Sequence, residues 1–100
     1  MFNTNKKQKC LIKGEVYGES LSIKLAFLLR THTNISDIKE ASELSKMSVS
    51  TFNSLIYRSG SLKERNANAL KILMRVAIKN SDEKIRSYER AIKEFTPLAR

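Results

Sequence analysis

The sequence predicts an all-α protein, a compact bundle of about five helices behind a flexible basic N-terminal arm. Three observations predict it. Apolar residues recur at helical spacing through most of residues 20–95. Cap-forming Ser, Asn and Asp residues stand just ahead of those runs, and breakers are scarce, with three glycines and one proline in 100 residues. The balance of 41% hydrophobic and 29% charged residues is that of a folded chain rather than a disordered one. A chain of this size suits one domain with one modest core. Residues 1–18 read as a basic arm or hairpin lead-in and 19–100 as the helical domain.

Residues 1–9 are polar, with Lys6, Lys7 and Lys9, and carry only Phe2 among the large apolar side chains. Cys10-Leu11-Ile12 and Val16-Tyr17 flank Lys13-Gly14, which is compatible with a tight hairpin or an irregular lead-in. The first helix is expected over 20–31, capped by Ser20. Leu21, Leu25, Leu28 and Leu29 share a face that Ile23, Ala26 and Phe27 widen, so this helix is expected to sit centrally. The second is expected over 36–44, with Asn34 or Ser36 as cap and Ile38, Ala41 and Leu44 inward. The third runs from Ser48 to about Ser59, burying Phe52, Leu55 and Ile56 with Val49 at the edge, and Gly60 is placed to close it in a left-handed conformation. Ser61 and Glu64 form a capping-box pattern for a fourth helix carrying Leu62, Ala69, Leu70, Leu73, Val76 and Ala77. Asn80-Ser81 reads as a break. A fifth helix then carries Ile85, Tyr88, Ile92 and Phe95 at helical spacing and is stopped by Pro97.

Function classes narrow from composition. The net charge of +9 attracts polyanions, nucleic acid first and an anionic membrane surface second. Cys10 is the single cysteine and His32 the single histidine, so neither a disulfide nor a structural zinc site is expected, and no cofactor. The polar N-terminus lacks a signal-peptide pattern, and the longest apolar run, residues 25–29, is too short to span a bilayer. A cytoplasmic protein with no membrane partner is expected. Three scattered glycines make no phosphate loop, and no nucleophile–base set forms around one histidine, so no enzymatic activity is expected.

The informative stretch is residues 38–57, IKEASELSKMSVSTFNSLIY. It resembles the helix-turn-helix of bacterial and phage regulators, of the lambda-repressor/Cro type and the LacI headpiece type. Met47-Ser48-Val49-Ser50-Thr51-Phe52-Asn53-Ser54-Leu55 is similar to their V-S-x-x-T-V-S-x-V run. Two helices crossing steeply need a small residue at the crossing, where Ser42 stands. They also need apolar residues inside the angle, supplied by Ala41, Met47, Phe52 and Leu55. The family often has glycine in the turn at a positive φ. Lys46 stands there, which implies strain of roughly 1 kcal/mol unless the turn is longer or differently bent.

The resemblance implies that the third helix enters a DNA major groove. Its outward residues Ser48, Ser50, Thr51, Asn53, Ser54 and Tyr57 would then read base edges, with Asn53 and Thr51 foremost because an amide pairs bidentately with adenine. Residues 36–60 are electrically neutral, with Lys39, Lys46 and Arg58 against Asp37, Glu40 and Glu43. Residues 61–80 carry Lys63, Arg65, Lys71, Arg75 and Lys79 against Glu64 alone. Phosphate binding is therefore expected from Lys46, Arg58, Lys63 and Arg65, and from Lys6, Lys7 and Lys9 of the arm. The implied function is a DNA-binding transcriptional regulator, a repressor by occupancy, acting on double-stranded DNA as a homodimer. Ile85, Tyr88, Ile92 and Phe95 either form the dimer seam or complete the monomer's core. The rival readings are a helical module that binds another protein, as an antirepressor or inhibitor does, or an RNA-binding protein.

Overall fold

The structure, a computed structural model, describes residues 10–99. The arm residues Lys6, Lys7 and Lys9 lie outside the described residues. Within them the protein is all-helical, with α1 Ile23–His32, α2 Ile35–Ser45, α3 Val49–Ile56 and α4 Glu64–Leu98. There are four helices and not five.

The lead-in is irregular, with no strand among the described residues. Gly14, at φ 86°, permits the turn in which the Glu15 amide bonds the Ile12 carbonyl at 3.1 Å. Ile12 is buried in the core, and Cys10 and Tyr17 pack against it. Helix α1 starts two residues later than the pattern at Ser20 suggested. Ser22 is the cap, its hydroxyl accepting from the Leu25 amide. The Glu15 carboxylate takes both the Ser22 amide and its hydroxyl at 2.8 Å, which fixes Ser22 in that role.

Helix α2 begins after Asn34. The Asn34 side chain accepts from the Asp37 amide and the Asp37 carboxylate accepts from the Asn34 amide, a reciprocal capping box. Ile38 and Ala41 are buried as their spacing required, but Leu44 is 61% exposed, because α2 has turned its last apolar position past the edge of the core. The small residue that lets helices approach is Ala41, fully buried; Ser42 is only half-buried. Lys46 closes α2 in the left-handed region at φ 68°, its amide bonding the Ser42 carbonyl at 2.8 Å. The turn to α3 thus has the left-handed residue expected at position 46, with lysine in a conformation that glycine adopts more easily.

Helix α3 is capped by Ser48 and ends at Ile56, not Ser59. The left-handed residue beyond it is Arg58, at φ 62°, rather than Gly60. Gly60 serves close packing instead: a Cβ on it would fall on the Ser54 hydroxyl. The expected Ser61–Glu64 box does not form. Leu62 is fully buried, and its amide and carbonyl bond the Glu19 carbonyl and the Gly18 amide, at 2.8 and 2.7 Å. That short pairing holds the chain extended until Lys63, which becomes the cap of α4 without a side-chain bond.

Helix α4 runs 35 residues through Asn80-Ser81 without a break. Asn80 does not compete for the backbone, because its side-chain amide donates to the carboxylate of Asp37, which is 4% exposed. Beside it Lys79 meets Glu40 at 2.7 Å. Both bonds tie α4 to α2, the helix it packs against most extensively. Buried Ala67, Leu70, Leu73 and Val76 bring its first half into one core with Leu21, Leu29, Ile38, Ala41, Phe52 and Leu55. From Asp82 onward it leaves the core. Ile85, Tyr88, Ile92 and Phe95 are 53–64% exposed, so the reading of that stripe as core of the monomer is corrected: an unbroken helix cannot fold back to be covered. Helix α1 is likewise less central than its composition suggested, with Ile23 and Phe27 exposed.

The outcome is an elongated molecule of 71 × 24 × 20 Å. Its radius of gyration is 17.7 Å, against about 13 Å for a compact domain of this length. No helix among the described residues is long and apolar enough to cross a membrane.

Candidate nucleic-acid interface

Helix α3 packs against α1 and α2 and leaves an open outer face. Phe52, Leu55 and Ile56 are 0–2% exposed and define its inner side. Helical geometry then puts Ser50, Asn53, Ser54 and Tyr57 outward, with Thr51 and Val49 on the flanks. Ser50, Asn53 and Tyr57 are exposed, and Ser54 and Thr51 half-buried. Neither the Ser50 hydroxyl nor the Asn53 amide makes a hydrogen bond among the described residues.

The six polar residues divide between two grooves. On the α4 side, Ser48, Thr51 and Ser54 line one groove together with Lys46, Lys63 and Arg65. On the other, Asn53 and Tyr57 line a groove with Arg30, Asn34 and Ser36 from α1 and α2. Ser50 stands on the ridge between them. Three of the cations expected to bind phosphate are thereby brought to one wall beside three of the expected reading residues. None of the three has a salt-bridge partner among the described residues, where the ion pairs are Lys79–Glu40 and Arg86–Asp82.

The hydroxyls of the first groove are partly committed. Ser48 Oγ accepts from the Thr51 amide at 3.1 Å and shares a hydrogen bond with Thr51 Oγ1 at 2.8 Å. Ser54 gives its carbonyl to the amides of Ser59 and Gly60, both at 3.0 Å, which folds residues 58–61 under the end of α3. Thr51 is therefore a capping partner first, whereas the Asn53 side-chain amide is uncommitted among the described residues.

Arg58 has a different place from the one expected of a phosphate ligand. Its Nε donates to the Leu21 carbonyl at 2.7 Å, and its own carbonyl accepts from Ser20 Oγ at 3.3 Å. Arg30, which sequence reasoning did not single out, works beside it. Its guanidinium donates to the Ile56 carbonyl at 2.8 Å and lies 5.7 Å from the centre of the Tyr57 ring. The two arginines latch the C-terminal end of α3 to α1, satisfying a carbonyl that the helix leaves orphaned. Nothing in the sequence marks Arg30 for this role, since its acceptor lies 26 residues away.

Comparison with protein-family models, curated proteins and solved structures finds no match in any of the three. Among the described residues no three His, Cys, Asp or Glu side chains gather where they could hold a metal ion.

Proposed function

We propose that this protein is a non-enzymatic, sequence-specific DNA-binding regulator, a cytoplasmic repressor that works by occupying its site as a homodimer. The observation that carries the reading is the wall beside α3. Lys46, Lys63 and Arg65, all exposed and unpaired among the described residues, border the groove that holds Ser48, Thr51 and Ser54. Phosphate contacts from that wall would set the register. Asn53, Ser50 and Tyr57 on the outer face would meet base edges. A neutral reading helix flanked by cations divides affinity from selectivity, which suits an operator-binding protein better than a nonspecific polycation.

The test is a binding titration with duplex DNA, single strands and structured RNA across a salt series. The expected outcome is a duplex preference whose affinity falls steeply with salt. Selection of bound sequences from a random duplex pool should then return a consensus. Asn53→Ala should erase that consensus while leaving nonspecific affinity in place. Lys63→Ala should weaken all duplexes alike and reduce the salt slope by about 1. Absence of binding to every nucleic acid would overturn the proposal in favour of a protein partner, and preference for structured RNA in favour of an RNA ligand.

A further inference from the structure

The outer half of α4 carries an apolar stripe that nothing among the described residues covers. Ile85, Tyr88, Ile92 and Phe95 follow one another at spacings of three, four and three residues, and Ile78 and Ser81 continue the series inward. That is the alternating first-and-fourth-position pattern of a helix paired with another helix, with isoleucine at each first position. Ile85, Tyr88, Ile92 and Phe95 are each more than half exposed.

The direction of such a pairing follows from where the stripe lies. Ser81, Lys84, Ile85 and Tyr88 line one cleft with Thr31, His32, Thr33 and Asn34 of the α1–α2 corner. The α1–α2 corner therefore stands beside the inner end of the stripe, whereas Asn80 and Lys79 meet α2 on another side of α4. A parallel partner helix laid on the stripe would have to run on past that corner. It would also bring two globular bodies to the same level between helices that must approach to about 8–10 Å. An antiparallel partner meets neither obstacle, because each body then lies beyond the end of the other's helix.

We infer that two copies pair antiparallel through residues 81–98 of α4, each helix tip ending against the α1–α2 corner of its partner. The inference rests on the two-fold reading above and gives it a geometry. In the register that keeps the stripe continuous, Ile85 of one copy packs on Phe95 of the other and Tyr88 on Ile92. The pairing then closes symmetrically near Arg90. Lys84 falls beside Glu94 of the other copy, an opposite-charge pair at the margin. Helix α4 ends at Leu98, level with Asp82 of the other copy, so it stops where the body begins.

The test uses the full chain. Wild-type protein should sediment as a concentration-dependent dimer, and Ile85→Asp as a monomer with an unchanged helical body. With Cys10 replaced by alanine, Ile85→Cys and Phe95→Cys chains are oxidised separately and mixed. The expected result is a covalent dimer only in the mixture, since like positions lie about 15 Å apart along an antiparallel pair. Covalent dimers from each variant alone would overturn the inference in favour of a parallel pair. A wild-type chain that stays monomeric at every concentration would overturn it outright. Binding to nucleic acid is measured independently. A crosslinked antiparallel dimer that ignores DNA sinks the proposed function and spares this inference; a chain that binds its operator as a monomer sinks this inference and, of the proposed function, the homodimer alone.

Discussion

Lys46 holds a conformation that costs an L-residue energy, and among the described residues no hydrogen bond or ion pair offsets it beyond the helix-closing bond to Ser42. Lys46→Gly should therefore stabilise the fold by about 1 kcal/mol, measured as a higher melting temperature, while weakening duplex binding through the lost charge. A gain in stability with no loss of affinity would remove Lys46 from the proposed phosphate contacts. Gly60 makes the opposite case. Gly60→Ala presses a methyl group against the Ser54 hydroxyl and should lower the melting temperature modestly, and Ser54→Ala in the same chain should recover most of the loss. Residues of this kind divide what the sequence discloses from what it hides. The inward turn of Phe52 and Leu55 was legible, because apolar spacing in a short helix leaves one solution. The positive φ at position 46 was legible from the motif. The roles of Arg30 and Arg58 were not, because backbone carbonyls far along the chain leave no trace in local composition.

At the scale of elements, the α2–α4 junction decides the architecture. Asp37 is buried, capped by Asn34 and bonded by Asn80. Asn80→Ala should cost roughly 1–3 kcal/mol, since it strips a donor from a buried carboxylate, and urea unfolding measures this directly. The neighbouring Lys79–Glu40 pair is exposed and counts for little. Its hydrogen bond holds the Glu40 carboxyl below its ordinary range and the Lys79 ammonium above its own. The Glu40 contribution is full above the ordinary carboxylate range and fades as pH falls through the lowered value. The Lys79 contribution is full below the ordinary lysine range and fades as pH rises through the raised one. Between those limits the pair is flat with pH. Lys79→Met should accordingly flatten the acid limb of the stability profile slightly and leave neutral pH almost unchanged. Asn80 also explains why a break was expected where there is none. Asn-Ser with acidic residues following has the composition of a helix start, and only the buried partner across the junction reveals that the asparagine side chain is already engaged.

At the scale of the whole molecule, two parts of one chain have unlike dependences. The body folds around Leu21, Phe52, Leu55, Leu62, Leu70 and Leu73, all within 1% of complete burial. Among the described residues the outer half of α4 from Asp82 onward has only bonds within itself, and a solitary helix of that length is marginal in water. A chain stopped after Glu83 should retain the cooperative melt of the body and lose any concentration dependence of the melting temperature. If the truncated body failed to fold, the separation into body and arm would be wrong. The all-helical class was legible because periodicity is a local property. The elongated shape was not, since whether an apolar stripe meets its own chain or another's is a question of tertiary direction.

The absence of a joint in α4 has one more consequence. Lys63 and Arg65 stand at the start of the same rod whose far end carries Ile92 and Phe95, so the azimuth of one set relative to the other is fixed by counting residues. Each residue inserted near Lys84 rotates the two ends by about 100° and separates them by about 1.5 Å, whereas seven nearly restore the angle. A one-residue insertion should therefore leave stability and pairing almost intact while throwing the two grooves of a dimer out of phase on the double helix. A seven-residue insertion should bring them back into phase, but on a site with wider spacing.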